Sequence, residues 1–197
     1  MTDPARLARQ IGFVVELDKL KGVLRQTILI DRSRQENDAE HSWHIAMMVL
    51  VLDEYAGPEV DRLRVLKMLL IHDIVEIDAG DTFLYDTVAV AGQAAREQAA
   101  AVRLFGLLPA DQGAALRALW QEFEDGASAD ARFAKALDRL QPILHNLYTD
   151  GEMWRRNGVS GADVLARNRV IERGAPALWA YAEALIRDAI AKGWLKP

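Results

Sequence analysis

Apolar residues recur at helical spacing along nearly the whole chain, and this narrows the fold more than any other feature. Ile11, Val14, Val15 and Leu17 fall on one face of a helix expected over about 4–20, with Asp3 as N-cap and Pro4 at its first position. Asn37 with Glu40 three residues on makes a capping-box pattern for a second helix, which Gly57 and Pro58 end. Val60, Leu63, Leu66, Met68, Leu69 and Leu70 form a broad stripe on a third, over about 59–75. Further helices are expected over about 88–105, 111–124, 130–148, 160–172 and 176–192. Residues 28–36 and 77–85 read as loops, and no alternating run predicts a strand. The expectation is one all-α domain spanning residues 1–197.

Composition narrows the function. At 51% hydrophobic and 27% charged, the 197 residues can build a sizeable core and are too apolar for a disordered chain. The absence of Cys removes disulfides, thiolate metal ligands and a Cys nucleophile. Lys and Arg number 24 against 29 Asp and Glu, a net charge of -5, which argues against a grip on a nucleic-acid polymer. The N-terminal MTDPARLARQ has no apolar core of a signal peptide, and no apolar run approaches the ~20 residues that cross a bilayer. A cytoplasmic location is expected.

Chemistry concentrates around four histidines, His41, His44, His72 and His145. The densest cluster is IHDIVEIDAGD, holding His72, Asp73, Glu76, Asp78 and Asp81 at the end of an apolar helix. Carboxylates are unfavourable there, because the helix dipole already presents negative charge. A divalent cation would reverse that sign. Mixed imidazole and carboxylate donors suit Mn²⁺, Fe²⁺, Co²⁺, Ni²⁺ or Zn²⁺ better than Ca²⁺. In a regular helix His72 and Asp73 point about 100° apart, while Glu76, four residues on, shares the face of His72. Taken singly, these residues have ordinary uses. His41 could be a helix-terminal surface residue, Asp138 could pair with Lys135, and Asp78 and Asp81 could form turns. His44 and His145 read as structural, with His44 able to hold a neighbour's tautomer.

Together, His41 in AEHSWH, His72-Asp73 in LLIHDIVE and Asp138 in KALDRLQ resemble the HD superfamily of metal-dependent phosphohydrolases. ENDAEHSWHIAMM followed by HDIVEIDAGD is most similar to its helical 5′-deoxynucleotidase branch, over about residues 20–150. The resemblance implies a helical HD domain in which His41, His72, Asp73 and Asp138 hold one divalent ion (Mn, Co, Mg, Fe, Ni or Zn). It implies Glu76 and Asp81 as catalytic carboxylates, in either order of base and acid. It implies a phosphate-binding cation upstream, for which Arg25 is the first choice and Arg32 and Arg34 the others. The branch's Arg-Trp pair is absent, since Gln26 follows Arg25. The implied reaction is hydrolysis of a deoxyribonucleoside 5′-monophosphate, a small-molecule nucleotide, by a homodimer. Alternatives are an HD hydrolase of a triphosphate or cyclic dinucleotide, and a non-catalytic helical ligand sensor.

Overall fold

The structure, a computed structural model, describes residues 3–196. Met1, Thr2 and Pro197 of the expected one-domain span lie outside them. Helix α1, Pro4–Glu16, runs into a 3₁₀ turn, Leu17–Gly22, and two short strands follow, β1 Leu24–Ile28 and β2 Gln35–Asn37. Helix α2 is Asp38–Leu52 and α3 is Arg62–Ile71. A 3₁₀ turn, His72–Val75, joins α3 to α4, Glu76–Ala79. Next come α5 Thr87–Val90, α6 Gln93–Phe105, α7 Ala110–Asp125 and α8 Ala129–Tyr148. The order ends with α9 Glu152–Arg156, α10 Gly161–Asn168, α11 Val170–Gly174 and α12 Pro176–Ala191.

Local chemistry sets the helix starts. Asp3 accepts from the Ala5 N–H at 2.9 Å, and Ser128 Oγ from Ala131 at 3.1 Å. Asn37 accepts from the Glu40 N–H at 3.0 Å, and Glu40 returns the favour to the Asn37 N–H at 3.2 Å, closing the capping box. The long helix α8 runs through the centre and buries Ala131, Phe133, Ala134, Ala136 and Leu137 completely, packing on α2, α3, α7, α11 and α12. Contact with α11 requires a glycine. A Cβ on Gly174 would lie 2.1 Å from the Arg132 carbonyl oxygen and 2.9 Å from the Phe133 nitrogen. Gly174→Ala is therefore expected to cost about 1–3 kcal/mol in thermal denaturation, the usual range for overpacking. An unchanged melting temperature would show that α11 is free to move off α8.

The hairpin corrects the expectation of no strands. Leu24 pairs with Asn37 and Ile28 with Gln35, antiparallel, with an irregularity between them. Its residues are mostly polar, and only Thr27 and Ile28 of β1 and Glu36 of β2 are buried. A ribbon this short, which buries a carboxylate, carries no apolar alternation to detect. The tail after α12 folds back onto the core. Gly193 adopts φ +75°, Leu195 is buried, and Trp194 packs against the same core. No helix among the described residues is long and apolar enough to cross a membrane.

Candidate metal centre

Three chain segments meet at one cluster: the first turn of α2 brings His41, the 3₁₀ turn after α3 brings His72 and Asp73, and the middle of α8 brings Asp138. His41 Nε2 lies 3.1 Å from Asp138 Oδ1 and 3.9 Å from Asp73 Oδ2. His72 Nε2 lies 3.0 Å from Asp73 Oδ1 and 3.6 Å from Asp138 Oδ1. The two imidazole centroids are 5.4 Å apart. Lys135 does not take Asp138; its ammonium sits over the Phe123 ring at 4.5 Å.

The backbone around this cluster departs from regular helix at both walls. α3 ends at Ile71, and the tighter turn that follows, rather than a continuous helix to residue 75, presents His72 and Asp73 to the same side. The Trp120 indole N–H donates to the His72 carbonyl at 3.2 Å, anchoring the break. In α8, Pro142 has no N–H to offer the Asp138 carbonyl four residues earlier. Beyond α4, Gly80 takes φ +74°, which an L side chain rarely adopts. That turn returns Asp81 to the cavity wall. Asp78 leaves the cluster and pairs with Arg103 on α6.

Arg25, on β1 and mostly buried, is a cation of the site. Its Nη1 donates to Asp73 Oδ2 at 2.7 Å and to Asp38 Oδ1 at 3.1 Å, and its Nε lies 3.7 Å from Glu36 Oε2. Arg32 and Arg34 instead make surface pairs with Asp150 and Glu40. Asp38 and Glu36, both buried, are members the sequence reading missed. Asp38 occupies the first turn of α2, where an acid is expected for the dipole alone. Its one telltale is position: it stands three residues before His41, on the same face.

Electrostatics divide these groups. Burial, helped by Arg25, pushes the His41 imidazole down to about 4 against the pull of Asp138 and Asp73. Burial also opposes charge on His72, but Asp73 and Asp138 outweigh it and raise it to about 10. Burial likewise works against charge on Asp73, yet His72 and Arg25 bring it down to about 2. Burial and then the Asp73 and Asp38 charges push Glu76 up to about 12. Burial and Asp73 take Asp38 up to about 7. Asp81 is raised, chiefly by burial.

The donor set fits a divalent cation. His72 Nδ1 faces the Leu69 carbonyl at 2.8 Å, which makes it the N–H and turns Nε2 into the cluster. That Nε2, with Asp38 Oδ2 and Glu76 Oε2, is buried without a hydrogen-bond partner. His41, His72 and Asp138 offer donor atoms within 4.8 Å of one another, and so do Asp38, Asp73 and Glu76. Buried polar atoms left without partners are costly, and an ion supplies the missing partner. Above the cluster opens a cavity of about 270 Å³, with Phe83, Tyr85 and Trp154 in its walls and Lys135 and Arg139 among its cations.

Known proteins share this arrangement of segments. The chain is 32% identical to the 5′-deoxynucleotidase HDDC2 of Homo sapiens over 111 residues, 56% of this chain and 53% of that protein. It is 31% identical to the 5′-deoxynucleotidase HDDC2 of Danio rerio over 135 residues, 68% of this chain and 66% of that protein. It thus spans about half to two-thirds of the length of these relatives. The crystal structure of a predicted metal-dependent phosphohydrolase from Magnetospirillum magnetotacticum MS-1 aligns with a TM-score of 0.94 at 59% identity, over 98% of this chain and 96% of that one. A protein from Pyrococcus horikoshii OT3 shares the fold, with a TM-score of 0.63 at 20% identity over 89% and 99% of the two chains. The HD domain family matches residues 17–179, a span that holds His41, His72, Asp73 and Asp138, and the chain belongs to that family.

Proposed function

We propose that this protein is a metal-dependent phosphohydrolase that removes phosphate from deoxyribonucleoside 5′-monophosphates. The observation that carries the reading is the buried His72 Nε2, which faces Asp73 and Asp138 without a partner beneath a cavity of small-ligand size. The choice of a nucleoside monophosphate rests on the likeness to 5′-deoxynucleotidases and on the aromatic wall. Phe83 and Tyr85 meet edge to face at 5.2 Å, and Asn168 donates to the Tyr85 hydroxyl at 3.1 Å, offering an apolar surface with a fixed polar rim.

His41, His72, Asp73 and Asp138 would hold the ion. When bound, it supplies an acidified water and a polarised phosphorus centre. Glu76, whose buried Oε2 has no partner, would orient the attacking water and take its proton. Asp81, whose pKa is raised chiefly by burial, would deliver a proton to the departing 5′ oxygen. Arg25 holds Asp73 and Asp38 in place through Nη1 and lines the cavity, where its guanidinium would meet the phosphate.

Phosphate release from a panel of deoxy- and ribonucleoside monophosphates, a triphosphate and a cyclic dinucleotide tests the reading in a Mn²⁺ or Co²⁺ series. Release from the deoxynucleoside monophosphates is expected to lead, and to stop on chelation. Turnover confined to the triphosphate or the cyclic dinucleotide would replace the substrate assignment and keep the metal chemistry.

Proton linkage gives a separate check. His72 is raised to about 10 by its two carboxylates, so it carries a proton at pH 7 that a ligated Nε2 must lose. Metal affinity is therefore expected to climb about tenfold per pH unit as pH rises from 6 towards that value. Calorimetry in two buffers of different ionisation enthalpy should find at least one proton released per ion, with any ionisation of Glu76 adding to that of His72. Heats independent of buffer would mean that His72 is not displaced from its proton, and so is not a ligand.

A further inference from the structure

Behind His41, on the side away from the cavity, lies a buried polar chain that the chemistry above does not use. Gln141, fully buried on α8, stands between His41 and a second group of donors. Its Oε1 is 3.1 Å from His41 Nδ1. Its Nε2 is 2.6 Å from Glu36 Oε1, 3.0 Å from His145 Nε2 and 3.3 Å from His44 Nδ1.

Hydrogen positions along this chain follow from one fixed acceptor. His145 Nδ1 is 3.1 Å from the Ile28 carbonyl, which can only accept, so Nδ1 carries the proton and Nε2 is bare. Bare His145 Nε2 and the Glu36 carboxylate are then two acceptors on the same side of Gln141. Only the NH₂ of the amide can face them, and its two hydrogens are used up. The carbonyl oxygen is left for His41, whose Nδ1 must therefore be the N–H. His41 Nε2 is bare in consequence and faces Asp138 Oδ1 across 3.1 Å. Two lone pairs directed at each other at that distance are repulsive unless a cation lies between them.

We propose that Gln141, oriented by Glu36 and His145, is the positioning residue that fixes the tautomer of His41 and so turns its Nε2 towards the cation. The chain starts in the hairpin. Ile28 belongs to β1 and Glu36 to β2, so the two short strands set a proton position at the site without touching the ion. His44, third in line for the amide, finds no hydrogen left. The same three donors, Glu36, His44 and His145, have the composition of a metal site of their own. The Gln141 amide occupies the point on which they converge, and its use as a strut excludes an ion there.

This inference rests on the metal-centre reading, and the experiment separates the two. Calorimetric titration with Zn²⁺ alone, as a diamagnetic probe, compares the full chain with Gln141→Met and with the swapped double variant Glu36→Gln/Gln141→Glu. The near-isosteric Met keeps the packing and removes the acceptor, and a fall of about 10–100-fold in affinity is expected. The swap returns a carboxylate acceptor to His41 and a donor at residue 36, and should recover most of the loss. Nitrogen-15 spectra of the wild-type Zn²⁺ form should show His41 Nδ1 as the protonated nitrogen. They need neither variant to fold. Equal affinity in Gln141→Met, or a protonated Nε2 in His41, would overturn the inference. So would a second equivalent of Zn²⁺ that disappears in His44→Ala, because the amide would have to leave its place. A wild-type protein that binds no Zn²⁺ would fail the metal-centre reading instead.

Discussion

Asp73→Asn is expected to lose the divalent ion and, with it, measurable phosphate release. Asp73 stands between the two halves of the site. One oxygen is 2.7 Å from Arg25 Nη1, and the other is 3.0 Å from His72 Nε2. Asparagine keeps the shape but removes the charge that, with Asp138, offsets a dication. Altering a group that merely supports a ligand costs about 10–100-fold in metal affinity, so losing this carboxylate should cost more than about 100-fold. The fold should survive, because Arg25 retains Asp38 at 3.1 Å and Glu36 nearby. A penalty of about 1–3 kcal/mol is expected for the metal-free variant, the usual range for a buried polar partner left short. The most direct measurement is thermal. An ion at about 100 times its dissociation constant stabilises the wild type by about 2.7 kcal/mol, and that increment should vanish in the variant. A variant whose melting temperature still rises with added Mn²⁺ would remove Asp73 from the ligand set.

The readable and unreadable parts of this protein differ in physical kind. The α2 start is legible because both halves of its capping box are local, Asn37 and Glu40 within one turn. The α8 start is legible in the same way, with Ser128 one position before the helix. The hairpin is not legible, because its order comes from what it touches. Glu36 pairs with Gln141 over 105 positions of sequence and His145 with Ile28 over 117, and no local period records such contacts. The turn at His72 was equally hidden. Met68, Leu69 and Leu70 continue the helical stripe, and only the carboxylates that follow, at odds with the helix dipole, mark a departure. His41, His72, Asp73 and Asp138 were visible as a constellation through family resemblance. Asp38 and Glu36 were not, because an acid beside a helix start has an ordinary explanation that suffices on its own. Whether Leu195 joins the core or an outer surface was open in the sequence, since a tail's burial depends on the direction of a single turn at Gly193.

Glu76→Gln should separate holding the ion from using it. Glu76 is buried at the start of α4, its Oε2 lacks a partner, and its carboxyl lies within 4.8 Å of those of Asp38 and Asp73. In the metal-free protein, burial and the surrounding carboxylates push it up to about 12, so it holds a proton and accepts none. A dication among Asp73, Asp138 and the two histidines reverses the sign of the local field, which favours the carboxylate and brings Glu76 towards the range of a working base. Glutamine mimics the protonated acid in shape and charge, and cannot be recruited as a base. Metal affinity should thus stay within a few-fold of wild type, while kcat falls by about 10²–10⁴, the usual contribution of a positioned general base. The KM should change little, since the phosphate contacts assigned to Arg25 are untouched. A rate within tenfold of wild type would take the proton from the water by another route, with Asp38 a carboxylate within 4.8 Å of Glu76. A variant that binds no ion would make Glu76 a ligand, and would move the base to Asp81 across the cavity.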